Sequence, residues 1–112
     1  MHLYWHGLTS VRIEASLGDT SCTLLTDPYG SESGLRFPRT LEPNVLVLSH
    51  QNRELFALDA LKNSPFLIAD PGEYEVQGAF VFGTTIQEEG AKYPFPLMYR
   101  FEIEGMSIGF IG

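Results

Sequence analysis

Apolar and polar residues alternate along this chain in short blocks divided by glycine and proline, and the period of that alternation predicts strands. Val11-Arg12-Ile13-Glu14-Ala15 repeats every second residue, as a strand with one wet face does. Leu3 to Trp5 forms a shorter strand before it, closed by Gly7. Gly18-Asp19 turns the chain into Ser21-Cys22-Thr23-Leu24-Leu25-Thr26, which predicts a hairpin. Asp27-Pro28 ends that strand, because proline brings no amide to the ladder. Val45 to Leu48 and Phe66 to Ala69 are apolar without alternation and suit strands buried on both faces. Asp70-Pro71-Gly72 is a turn, and a further strand is expected around Ala79-Phe80-Val81-Phe82. The end reads as a second hairpin, residues 97–103 and 106–111 about Glu104-Gly105.

One stretch carries a helical signal instead. Arg53 to Lys62 places Leu55, Leu58 and Leu61 on one side, with Asn52 as N-cap and Ser64-Pro65 as the stop. Glu54 suits the positive end of such a helix and Lys62 the negative end. Tyr29 to Asn44 and Gln87 to Pro96 read as loops, the first of a kind often found beside a site. Roughly eight strands and one helix predict a β-rich α/β fold with mixed or antiparallel sheets.

At 112 residues the chain suits one domain, spanning 1–112. Its net charge of −7 repels phosphate backbones and anionic lipid, which argues against nucleic-acid and membrane partners. The first residues lack the pattern of a signal peptide, and the single cysteine, Cys22, has no internal disulfide partner; together they predict a cytoplasmic setting. Within its strand Cys22 is expected as a small buried hydrophobe.

Five segments in order resemble the N-terminal half of the metallo-β-lactamase fold, and most closely the small bacterial metal-dependent hydrolases of that superfamily. They are Tyr4-Trp5-His6-Gly7 with Val11-Arg12-Ile13; Leu24-Leu25-Thr26-Asp27-Pro28; Val45-Leu46-Val47-Leu48-Ser49-His50; Asp70-Pro71-Gly72-Glu73-Tyr74-Glu75; and residues 99–103 with 108–112. The resemblance implies half of a four-layer αββα sandwich, with one main helix packed on the sheets. In the family a His-x-His-x-Asp-His turn supplies metal ligands. Here His50 matches the first histidine, Asn52 the second, Glu54 the aspartate and Leu55 the last histidine. Leu8 stands where many of the small hydrolases have a histidine after Trp-x-Gly.

His50 and Glu54 are therefore the remaining candidate ligands, and two ligands do not make a tight zinc site. The family's later ligands follow the strand that here ends at Gly112. Asp27 matches an acid that supports ligands from behind, a recognised role for a carboxylate, though Asp-Pro is also turn chemistry in its own right. The expectation is a non-catalytic relative with no cofactor, its alternative a zinc-dependent hydrolase completed by a second chain. Half of a pseudo-two-fold fold leaves a sheet face uncovered, so the expected partner is an identical copy, a homodimer, or a complementary half-domain.

Other constellations are weaker. His2 and His6 share a strand face and form at most a candidate metal pair. Glu73, Tyr74 and Glu75 read as a solvated turn more readily than as an acid/base group. Ser49 and His50 are neighbours on a strand and point to opposite faces, so adjacency does not make them nucleophile and base.

Overall fold

The computed structural model describes residues 1–35, 37–38 and 40–112. Two sheets face each other. The mixed sheet has the order β1-β2-β3-β4-β5, from β1 (His2–Gly7), β2 (Ser10–Leu17), β3 (Thr20–Thr26), β4 (Val45–Val47) and β5 (Phe66–Ile68). The antiparallel sheet has the order β6-β7-β8-β9, from β6 (Gly72–Val76), β7 (Ala79–Thr85), β8 (Leu97–Ile103) and β9 (Met106–Ile111). Each hairpin expected from the pattern is present, with Leu17 opposite Thr20 and Ile103 opposite Met106. The Glu104-Gly105 turn has positive φ at both residues, which matches the twist of its strands.

The inner faces meet in one core. Ile13, Leu24, Val45, Val47 and Ile68 pack from the mixed sheet against Val81, Leu97, Tyr99, Phe101 and Ile103 from the other. Cys22 is buried in it, as its strand position implied. The opposite face of the mixed sheet has a second cluster, Leu25, Leu46, Leu48 and Ala69 beneath Tyr29, Phe37 and Leu41. The long loop after β3 is thus mainly a cover. β4 is buried on both faces because it lies between these two clusters.

Three expectations are corrected. β5 is not buried on both faces: it is an edge strand of the mixed sheet, and Phe66 is 51% exposed. The helix over Arg53 to Lys62, and with it the one main helix of the αββα layout, is replaced by two 3₁₀ turns, Arg53–Leu55 and Leu58–Ala60. Phe56 N–H bonds Arg53 O, and Ala57 N–H, which would continue an α-helix, donates to Pro28 O at 3.0 Å instead. The leucine spacing of three is the 3₁₀ period, not 3.6. Glu73, Tyr74 and Glu75 lie in a strand, β6, not in a turn. The following turn, Gln77-Gly78, has positive φ at both residues and closes the β6–β7 hairpin. None of the helices formed by the described residues is long and apolar enough to cross a membrane.

Candidate functional site

β3, β4 and β5 run parallel, so their C-terminal ends deliver Asp27, Ser49 with His50, and Asp70 to one rim of the sheet. Ends of parallel strands are where open sheets place ligands. Two unlike regions share that rim.

The first is a closed polar knot. Asp27 is 3% exposed and accepts three hydrogen bonds: from Thr9 Oγ1 at 2.5 Å, Ser49 N–H at 2.7 Å and Ser49 Oγ at 2.6 Å. Its own N–H donates to Val47 O, and its φ of 42° is a left-handed conformation that aspartate tolerates better than most residues. Burial raises the Asp27 pKa, and the bonds from Ser49 and Thr9 offset this only in part. Below it, Thr26 Oγ1 donates to Thr9 O and accepts from Val11 N–H, while Ser10 Oγ donates to Thr26 O. Gly112 covers the knot so tightly that a Cβ there would lie 2.1 Å from Ser49 Oγ. Tyr99 donates its hydroxyl to Leu48 O at 2.7 Å, and burial keeps that phenol protonated.

The second region is open. Ser49 to Gln51 pairs with the segment before β8: Leu97 N–H donates to Ser49 O, Gln51 N–H to Phe95 O, and His50 sits opposite Pro96. His50 Nδ1 accepts Asn52 N–H at 3.0 Å, and Asn52 Oδ1 accepts Glu54 N–H at 3.1 Å, so Asn52 is the cap of its short turn. Glu54 is exposed and Leu55 is turned largely to solvent. Beside this turn lies an open cleft of about 310 Å³ lined by Gln51, Asn52, Arg53, Glu54, Asp70, Tyr93 and Pro94. Gln51 spans it, donating to Asp70 Oδ1 at 3.3 Å and accepting Phe95 N–H at 3.0 Å. Arg53 approaches Asp70 at 3.9 Å, an exposed pair of little strength.

The turn fits a zinc ion poorly. One nitrogen of His50 is engaged by the backbone, the Asn52 oxygen is engaged as a cap, and leucine cannot ligate. Among the described residues no three His, Cys, Asp or Glu side chains converge on one point. His2 and His6 are not brought together either. Four steps along the strand separate them by roughly 13 Å; His2 stacks with Tyr4, and the His6 ring meets Phe37 edge-on. Burial, then the charge of Arg12, lowers the His6 pKa. Sequence reasoning missed Thr9, Ser49, Gln51, Asp70 and Tyr93 as parts of this rim. The signal available was the repeated Asp-Pro, at 27–28 and 70–71, after two strands of the same sheet.

The fold is that of a known class, and the chain belongs to it: the family model of the Beta-lactamase superfamily domain matches residues 2–112. Among solved structures, the chain is similar to a Thermotoga maritima protein described as a candidate zinc-dependent hydrolase of the metallo-beta-lactamase superfamily, at 25% identity and a TM-score of 0.74. The match covers 98% of this chain and 48% of that one, so the chain spans about half the length of its relative. Comparison with curated proteins gave no significant match.

Proposed function

We propose that this chain is a non-catalytic module of the superfamily, one that does not hold the family's metal centre by itself and acts by associating with a second polypeptide. The observation that carries the reading is the self-sufficiency of the 50–55 turn. Its histidine and asparagine acceptors are spent on the turn's own backbone, and its fourth ligand position is an exposed leucine. In the simplest form the partner is an identical copy; a complementary half-domain is the other form. A reducing, cytoplasmic setting belongs to the same proposal and suits a free, buried Cys22.

The test is zinc content after incubation with excess zinc and dialysis, read with the molar mass from light scattering. Well under one zinc per chain is the expected result. Stoichiometric zinc that disappears in His50→Ala would instead support the second reading, a zinc-dependent hydrolase completed by another chain. That reading is favoured by one observation: Glu54 and Asp70 line one open cleft, and His50 follows the strand next to the one that Asp70 follows.

A further inference from the structure

The loop after β3 is fastened to β1 at one place. Tyr29, Phe37 and Leu41 are buried over Leu25, Leu46 and Leu48 on the outer face of the mixed sheet. At the far end Asn44 grips β3: its N–H donates to Thr23 O at 2.8 Å, and its Oδ1 accepts Thr23 N–H at 2.7 Å. Between Tyr29 and Leu41 the described residues make one hydrogen bond to a strand, from the Tyr29 hydroxyl to His6 O. The Phe37 ring lies against the His6 ring, centroids 6.1 Å apart at 62°, and against Tyr29 at 5.1 Å and 81°. Gly7 permits the close approach, since a Cβ there would lie 3.0 Å from Leu35 Cδ1 and 3.4 Å from the Tyr29 hydroxyl oxygen. Under this cover His6 Nε2 is shut off from water and has no hydrogen-bond partner among the described residues.

We infer that this loop is an acid-released strap, closed over the mixed sheet while His6 is neutral and opened when its imidazole takes up a proton. A neutral imidazole has one nitrogen without a hydrogen, and an apolar enclosure tolerates that atom better than it tolerates a charge. An imidazolium has two N–H donors to satisfy, and the enclosed Nε2 meets no acceptor. The neighbours of His6 do not relieve the charge. From β2 comes a like charge, Arg12, which lies over the Tyr4 ring and approaches Glu14 at 3.9 Å. From the loop come the rings of Phe37 and Tyr29, and along β1 the same face carries Tyr4 and His2. Opening the loop brings water to Nε2, so the proton and the closed strap compete. Burial first, then Arg12, lowers His6 from the ordinary 6.5. Its share in closure is therefore fully present above 6.5 and is lost as pH falls through the lowered value. Asp27 acts in the opposite sense, because its raised pKa makes it more stabilising as pH falls. The strap depends neither on the module reading nor on a second polypeptide.

Arg36 and Arg39 flank Phe37 in sequence and give trypsin two places to cut the loop. The rate of cleavage there, divided by the rate on a synthetic peptide of residues 29–44 at the same pH, reads the open population. That ratio should rise several-fold between about pH 7.5 and about pH 5.5, with a midpoint matching the titration of the carbon-bound ring protons of His6 by NMR. His6→Phe keeps a ring against Phe37 and has nothing to titrate, so its ratio should stay flat. Arg12→Gln removes the like charge and should raise the midpoint of ring and strap together, a displacement that a merely structural histidine does not produce. A ratio that is flat in the unaltered chain, a rise that persists in His6→Phe, or a strap midpoint unmoved in Arg12→Gln would each overturn the inference.

Discussion

The knot around Asp27 and the turn from His50 to Leu55 begin one residue apart at Ser49 and His50, and they obey opposite rules. In the knot every polar atom has a partner inside the protein, and the carboxylate is almost wholly out of water. In the turn the bonds of His50 and Asn52 are short-range while those of Gln51 reach Phe95 and Asp70, Arg53, Glu54 and Leu55 are exposed, and the neighbouring cleft is open. Asp27 ties the ends of β3 and β4 to the β1–β2 turn.

Substitutions break that contrast in order. Asp27→Ala should be costly, roughly 3 kcal/mol by urea denaturation, because two hydroxyls and an amide lose their acceptor in a buried place. Asp27→Asn keeps an acceptor and separates geometry from charge. The folded pKa of Asp27 is raised above the ordinary 3.8, so its contribution is fully present below that value and lost as pH rises through the raised one. The unaltered chain should therefore lose ground to Asp27→Asn as pH rises above 3.8; a difference that stays constant with pH would mean that Asp27 is not strained by burial. Asn52→Ala in the turn should cost only about 0.5–1 kcal/mol, the value of a lost cap. A cost as large as that of Asp27→Ala would erase the distinction between the two regions.

Period was the legible part of the sequence. β2 follows from strict alternation, β3, β8 and β9 from hairpins about Gly18-Asp19 and Glu104-Gly105, and β4 from an unbroken apolar run, because side chains alternate across a pleat and a strand covered twice can be apolar throughout. β6 was obscured by its two exposed glutamates, although Tyr74 between them and Val76 after them pack on the core. The false helix arose because three leucines at intervals of three satisfy a helical reading until the amide of Ala57 is seen to bond Pro28. Candidate residues fared unevenly for a related reason. Asp27 could be matched to a position but not to its partners, since Thr9 and Ser49 lie 18 and 22 residues away and meet it only once the sheet has formed.

A stability effect of the same small size accompanies the change that most sharpens the contrast. A combined variant, Asn52→His, Glu54→Asp and Leu55→His, rewrites the turn to the family's ligand pattern at positions that are exposed or half-exposed, so folding should change little beyond the loss of the Asn52 cap. Such a variant isolates side-chain identity from the rest of the site. Because the turn is held as 3₁₀ and a catalytic zinc needs three convergent protein ligands, the variant should still leave dialysis with well under one zinc per chain. Full zinc occupancy would place the barrier in three side chains alone. Its absence would place the barrier in the turn's geometry and in ligands that residues 1–112 do not supply, for which the open rim beside Asp70 leaves room.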